Sequence, residues 1–213
     1  ELMHNYHLQK GKPRCALKID IQKAYDTVSW SFLKSILTKF GFPSKMVDWI
    51  MTCVSTVSFS LSINGNLCGY FKGRRGLRQG DPISPYLFTL VMEVLSLLLH
   101  KAADQHHAFR YHDKCKQQKI INVSFADDLF LFINPDMVSV KVMRDTLELF
   151  TRMSGLTPNL AKSTTFFCNV SHVVKQEIRS LLPFQEGELP VKYLGVPLIS
   201  TKLMYKDCKI LVD

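Results

Sequence analysis

Ser124-Phe125-Ala126-Asp127-Asp128-Leu129-Phe130-Leu131-Phe132 decides the fold, because it sets two adjacent aspartates between two apolar runs. The apolar flanks predict the two strands of a β-hairpin, with the carboxylates at its turn. An Asp pair at a hairpin tip is most often only a turn, since aspartate tolerates left-handed backbone. Buried carboxylates, however, are costly unless a cation compensates them. The apolar frame therefore favours a cation site over a plain turn.

A third carboxylate ends another apolar run, Ala16-Leu17-Lys18-Ile19-Asp20, which predicts a strand. If the two strand ends meet, three carboxylates can hold two magnesium ions, the arrangement that catalyses nucleotidyl transfer. The backbone carbonyl of Ile21 would add a ligand, and Tyr25 would lie beneath the sugar of an incoming nucleotide. The alternatives are an Asp20 that caps a turn and a Tyr25 that belongs to the core.

A glycine-rich basic segment, Gly73–Asp81, follows a predicted hairpin. Glycine lets backbone approach a substrate closely, and Arg78 and its neighbouring arginines offer phosphate contacts. Gln79, which precedes Gly80, carries both a donor and an acceptor suited to a base or a template sugar. The alternative is a basic connecting loop. Further along, Lys162 is a candidate proton donor to a pyrophosphate leaving group, with an ordinary exposed lysine as the alternative.

The composition points to an intracellular globular protein with a polyanionic partner. The 213 residues include 27 Lys and Arg against 18 Asp and Glu, a net charge of +9. Such a balance favours nucleic acid as a partner, although a basic solvated surface would look the same. The six cysteines form no CxxC pair, which argues against a zinc knuckle or a disulfide framework. We interpret His106, His107, His112 and Cys115 as an exposed loop rather than a zinc site.

No membrane partner is expected from the sequence. The longest apolar run, Leu87–Leu99, is interrupted by Glu93 and Ser96 and falls short of the roughly 20 residues that span a bilayer. The first residues lack a signal-peptide pattern and a starting Met, as in a piece of a longer protein.

Periodicity and turn residues predict one α+β layer domain. Strands are predicted at 15–20, 58–63, 68–71 and 164–168, and a short hairpin at 189–198. Helices are predicted at 30–40, from 44 to about 54, from 84 to about 98, at 139–154, at 173–182 and from 204. Residues 101–118 look like a polar surface excursion.

Taken in order, these segments resemble the reverse transcriptases of non-LTR (LINE-class) retrotransposons, and the plant members most closely. Ala16–Trp30 is similar to their motif A, Gly76–Glu93 to motif B and Ser124–Phe132 to motif C. Gly155–Ser163 is similar to motif D, and Leu189–Leu198 to motif E. Any one motif is weakly to moderately specific, whereas five in the family's order are strongly specific.

The resemblance implies the palm domain of the right-hand polymerase fold, an antiparallel sheet packed on helices, with part of the fingers. It places this palm at residues 1–200 and the start of a truncated thumb at 201–213. Most of the fingers and the thumb would lie outside the segment. The implied activity is RNA-directed DNA polymerisation from dNTPs onto a primer 3′-hydroxyl.

The resemblance also assigns roles to individual residues. Asp20 and Asp127 would bind two Mg²⁺ ions, with Asp128 as the third carboxylate. Tyr25 would be the sugar gate, Gln79 and Gly80 would contact nucleotide and template, and Lys162 would be the general acid. The implied partners are an RNA template, a DNA primer or target, dNTPs and the rest of a retrotransposon polyprotein. The location is left open between a nuclear and a cytoplasmic ribonucleoprotein.

Two other functions remain open. The chain could be a catalytically silent remnant that at most binds nucleic acid or serves as a structural piece. An unrelated basic RNA-binding module is disfavoured, because no RRM, KH or zinc pattern is present.

Overall fold

The computed structural model describes residues 2–8 and 10–201. The predicted helix from 204 and nearly all of the predicted thumb segment lie outside these residues. The predicted α+β class is confirmed. The helices are α1 (Ala24–Thr27), α2 (Trp30–Lys39), α3 (Ser44–Ser55), α4 (Ser84–Gln105), α5 (Met137–Ser154) and α6 (His172–Leu181). The strands are β1 (Arg14–Asp20), β2 (Ser58–Ile63), β3 (Asn66–Lys72), β4 (Asn122–Phe125), β5 (Asp128–Ile133), β6 (Thr164–Cys168), β7 (Gln185–Glu186), β8 (Val191–Tyr193) and β9 (Val196–Leu198).

The chain divides into two compact units. The sheet unit comprises Glu1–Asp20, Leu99–Thr146 and Asn159–Asp213. The helical unit comprises Ile21–Leu98 and Leu147–Pro158. The division falls within α4 and within α5. The sheet unit therefore carries all three aspartates singled out by the sequence.

The sheet unit is built on a five-stranded sheet of order β4-β5-β1-β6-β7. The central strand β1 pairs antiparallel with β5 and β6. Cys15, Ala16, Leu17 and Ile19 of β1 are all buried, so both faces of this strand are covered. This explains why the strand contains the consecutive apolar residues Cys15-Ala16-Leu17 instead of alternating apolar and polar residues throughout.

One face of the sheet bears an apolar cluster. Its strand residues occupy alternate positions, as side chains on one face must, and N-terminal residues complete it. The buried members are Met3, Tyr6, Ala16, Cys115, Phe130, Phe132, Phe166 and Cys168. The partly buried Tyr193 packs against them, with its ring edge-on to Phe130 at 4.9 Å between centroids.

The helical unit contains α1–α3, the β2–β3 hairpin, most of α4 and the end of α5. Ser29 caps α2, its hydroxyl accepting a hydrogen bond from the backbone N–H of Phe32 at 3.4 Å. The predicted β2–β3 hairpin is confirmed. Its turn residues Asn64 and Gly65 both have positive φ, as a type I′ turn requires.

By length and composition, α4 is apolar enough to cross a membrane, since it has 22 residues and a window of mean hydropathy 1.4. It is longer than the apolar run read from the sequence, because the helix continues through the polar residues up to Gln105. Burial explains much of its apolar character: Leu87, Phe88, Val91 and Leu95 are each at most 2% exposed. Core helices of proteins outside the membrane can meet the same length and composition criteria.

The interpretation of residues 101–118 as an exposed excursion is wrong in part. Although His106 and His107 are exposed, His112 and Cys115 are fully buried. The Nε2 atom of His112 lies 2.9 Å from the hydroxyl of Tyr6. The pKa of His112 is lowered to about 4, chiefly by burial, with Arg14 and Lys114 adding to the effect. The hydrogen bond with Tyr6 offsets part of the free-energy cost of burying His112. Local sequence pattern cannot reveal this partner, because Tyr6 is far away in the sequence.

Candidate active site at the ends of strands β1 and β5

The last residue of β1 lies directly opposite the first residue of β5, so Asp20 pairs with Asp128 in the antiparallel register. Directly opposed residues project from the same face of a sheet, with Cβ atoms roughly 4.5–5.5 Å apart. Both residues are partly exposed. The sheet therefore brings two of the three predicted carboxylates together at one accessible end of its strands. Carboxylate oxygens are ligands that suit a hard divalent cation.

Asp127 belongs to the hairpin turn itself. Ala126 and Asp127 form the two-residue connection between Phe125 and Asp128, which pair across it. Ala126 has φ of 51° whereas Asp127 is not in the positive-φ region, the pattern of a type II′ turn. The Asp127 side chain is exposed at this tip. The predicted hairpin is thus confirmed, with one carboxylate in the turn and the other at the strand start.

A lysine accompanies the paired carboxylates. Nζ of Lys18 lies 3.5 Å from Oδ1 of Asp128. Lys18 stands two residues before Asp20 on β1 and therefore shares its face. Sequence reasoning passed over Lys18, although the period-two alternation of β1 was enough to place it beside Asp20.

A short turn holds Asp20 from the other side. The backbone N–H of Asn159 donates to the carbonyl of Asp20 at 2.7 Å, and the N–H of Asp20 donates to the hydroxyl of Ser163 at 3.2 Å. Lys162 is exposed within the same turn. The sequence pointed to Lys162 in this segment and missed the contacts of Asn159 and Ser163.

In the helical unit, two glycines meet the backbone around α1. A Cβ atom at Gly76 would lie 2.6 Å from the carbonyl oxygen of Asp26, and one at Gly155 would lie 2.5 Å from that of Thr27. Both have positive φ. The close approach predicted for Gly76 is therefore to the chain's own backbone. By contrast, Gly80 has open space around it.

The remaining predicted substrate residues also lie in the helical unit. The ring of Tyr25 stacks on Phe88, with centroids 4.8 Å apart, and stays partly exposed. The carbonyl of Tyr25 accepts a hydrogen bond from the N–H of Leu77, within the glycine-rich segment. Arg78 and Gln79 are exposed. Ile21 is buried and forms an isolated bridge with Pro158.

The acidic side chains at the ends of β1 and β5 are the candidate ligands for a metal ion. Within residues 2–8 and 10–201, no three His, Cys, Asp or Glu side chains are gathered as a metal-binding group. The register supplies the Asp20–Asp128 pair, with Asp127 next in sequence. Two carboxylates on one accessible face fit a divalent cation in donor type, while the three-carboxylate site stays a prediction.

The family described as reverse transcriptase (RNA-dependent DNA polymerase) matches residues 1–198. The chain belongs to the reverse transcriptase family. The Pol polyprotein of the type-1 retrotransposable element R2 of Popillia japonica is 32% identical over 153 residues, 72% of this chain and 24% of the relative. The R2DM Pol polyprotein of Drosophila melanogaster is 29% identical over 205 residues, 92% of this chain and 18% of the relative. The predicted resemblance to non-LTR reverse transcriptases is confirmed.

Solved structures show the same fold. The telomerase of Candida albicans, determined with a fragment of telomeric RNA, matches with a TM-score of 0.61 at 16% identity. The match covers 91% of this chain and 30% of the telomerase chain. The sheet and its helices thus form the palm of a reverse transcriptase, as predicted. Reverse transcriptases generally use divalent metal ions. This chain spans about a quarter or less of the length of the R2 relatives named above.

Proposed function

We propose that this chain is the palm of an RNA-directed DNA polymerase encoded by a non-LTR retrotransposon. In this function dNTPs are added to a primer 3′-hydroxyl on an RNA template. The observation that carries the proposal is the pairing of Asp20, at the end of β1, with Asp128, at the start of β5. This pair lies beside the turn that contains Asp127. The match of the reverse transcriptase family to residues 1–198 supports it.

In this proposal Asp20 and Asp127 hold two Mg²⁺ ions, with Asp128 as the third carboxylate and the carbonyl of Ile21 as a further ligand. When bound, the ions activate the primer hydroxyl and stabilise the pyrophosphate leaving group. Lys162, which is exposed in its turn, donates a proton to that leaving group. The protein's own contribution is mainly to position charge.

Substrate selection is assigned to the helical unit. Tyr25, stacked on Phe88, lies under the sugar of the incoming nucleotide and acts as the sugar gate. The exposed Arg78 contacts phosphate, while Gln79 and Gly80 contact nucleotide and template. The positive net charge of +9 suits both the RNA template and the DNA primer or target.

The chain acts within a longer Pol polyprotein in this proposal, as the R2 relatives are Pol polyproteins. The remaining fingers and the thumb would complete the binding cleft. The chain is therefore tested both alone and in a version extended at both ends.

The deciding experiment is primer extension on an RNA template with Mg²⁺, comparing Asp20→Asn and Asp127→Asn with the parent. Asp48→Asn is the matched control, because Asp48 is an exposed carboxylate on α3. We expect both site variants to lose extension and the control to retain it. Normal extension by both site variants would refute the site, and inactivity of the parent in both lengths would favour the silent remnant.

A further inference from the structure

We propose that Ser163 is a positioning residue for Asp20, acting together with the backbone N–H of Asn159. This inference deepens the proposed function and rests on it. It gives a role to two residues, in the turn that also contains Lys162, to which the polymerase chemistry itself assigns none.

Asp20 needs hydrogen-bond partners from outside the sheet, because the pairing of β1 with β6 ends before it. The pairing of β1 with β6 runs from Arg14 opposite Cys168 to Lys18 opposite Thr164. It ends two residues before Asp20, so on this side no strand supplies partners for the Asp20 backbone. Unpaired strand ends fray, because their backbone groups exchange hydrogen bonds with water.

The turn before β6 takes over where the ladder ends. The Asp20 N–H donates to the Ser163 hydroxyl at 3.2 Å, and the Asp20 carbonyl accepts from the Asn159 N–H at 2.7 Å. On the other side of β1, Asp20 pairs with Asp128. Strand β5 thus places Asp20 opposite Asp128, while this turn accepts the hydrogen bond of its N–H and donates to its carbonyl.

The turn is itself well ordered by hydrogen bonds. The carbonyl of Asn159 accepts from the N–H of Ser163 at 2.8 Å and from that of Lys162 at 3.2 Å. The side-chain oxygen of Asn159 accepts from the N–H of Ala161 at 3.2 Å, which closes an Asx turn. Ser163 is fully buried and its carbonyl accepts from the N–H of Gln185. Its hydroxyl therefore has a fixed position from which to hold Asp20.

The expected consequence is kinetic. Ser163→Ala removes the acceptor of the Asp20 N–H while leaving every carboxylate in place. Since a displacement of about 1 Å at a reacting centre costs roughly 10²-fold in rate, we expect kcat to fall about tenfold to a hundredfold. The KM for dNTP should change by less than about threefold, because the nucleotide-binding residues are untouched.

The test compares Ser163→Ala, Ser163→Thr and Ser180→Ala in the Pol polyprotein that carries the chain. Ser163→Thr keeps the hydroxyl and should restore most of kcat. Ser180→Ala is the matched control, because it removes an exposed hydroxyl that donates to the Glu177 carbonyl on α6, away from Asp20. Three quantities are measured: kcat and KM, Mn²⁺ affinity by electron paramagnetic resonance, and amide hydrogen exchange of the peptide that contains Asp20.

Faster exchange at Asp20, weaker Mn²⁺ binding and a lower kcat in Ser163→Ala alone would support the proposal. Unchanged exchange and unchanged kcat in Ser163→Ala would overturn it, as would equal loss of kcat and of melting temperature in the Ala and Thr variants. If the parent extends no primer, the proposed function fails, whereas exchange and Mn²⁺ binding still decide the role of Ser163.

Discussion

The ammonium group of Lys18 lies 3.5 Å from a carboxylate oxygen of Asp128, on the sheet face that also carries Asp20. Two directly opposed carboxylates repel each other, and this lysine offsets the repulsion. A divalent cation at the carboxylates would compete with Lys18 for Asp128. At the proposed metal site, we therefore expect Lys18 to lower the affinity for a divalent cation.

Replacing Lys18 by Met should strengthen divalent-metal binding. The attraction between two unit charges such as those of Lys18 and Asp128 is worth about 1 kcal/mol at about 4 Å in water. A cation that binds Asp128 must replace this attraction, so without Lys18 the Mn²⁺ affinity should rise about fivefold. The measurement is a Mn²⁺ titration without nucleic acid. Lys34→Met is the control, since Lys34 makes an exposed ion pair with Asp48 at 3.9 Å and should leave the affinity unchanged. Weaker binding in Lys18→Met would show that Lys18 organises Asp128 instead of competing for it.

Replacing Tyr25 by Ala should relax the choice between dNTP and rNTP. The ring stacked on Phe88 is the bulk that we expect to meet a 2′-hydroxyl, so its removal should lower the dNTP preference about tenfold or more. Tyr25→Phe keeps the ring and should retain the preference. The check is kcat/KM for dNTP against rNTP in primer extension. An equal loss of preference in both variants would instead assign selection to the phenolic hydroxyl.

Replacing Gly155 by Ala should destabilise the fold, because its Cβ atom would lie 2.5 Å from the Thr27 carbonyl oxygen. Gly41→Ala is the matched control, since Gly41 has φ of 83° against 80° at Gly155 but open space around it. Both variants carry the strain of a left-handed alanine, about 1–3 kcal/mol, and Gly155→Ala adds the clash. Urea unfolding should show the larger loss in Gly155→Ala. Equal losses would mean that the Thr27 segment moves aside at no cost.

The buried His112 predicts a dependence of stability on pH. Its folded-state pKa of about 4 lies below its ordinary 6.5, so between these values the unfolded state binds more protons. Stability should fall as pH drops from about 6.5 to about 4 and level off below, by on the order of 3 kcal/mol from this group. His112→Gln should flatten that part of the curve, whereas exposed His106→Gln should not. Parallel curves for all three proteins would contradict this.

Local sequence pattern predicted those features that depend on nearby residues. β1 and the Asp127–Asp128 hairpin follow from apolar runs and turn residues, and α5 ends before Gly155 as its C-terminal glycine predicts. The burial of His112 was missed because its partner Tyr6 is 106 positions away. The two-residue strand β7 was missed for the same reason, as its parallel pairing with β6 is set by tertiary structure.

The candidate site remains a prediction from residue types, and sequence reasoning missed two of the contacts around it. Asp20 and Asp128 were singled out because carboxylates at strand ends are chemically unusual. Lys18 contacts Asp128 on the neighbouring strand, and the Ser163 hydroxyl accepts a hydrogen bond from the backbone N–H of Asp20. No propensity scale reports either kind of contact. Such contacts become visible only once the register between strands is known.

The candidate site combines residues from parts of the sheet that differ in local stability. Asp20 sits on the middle strand, while Asp127 sits on an exposed tip that joins β5 to the edge strand β4. Edge hairpins open at lower free energy than central strands. If the proposed polymerase function holds, warming should stop DNA synthesis at a temperature below the melting point, while most of the sheet is still intact.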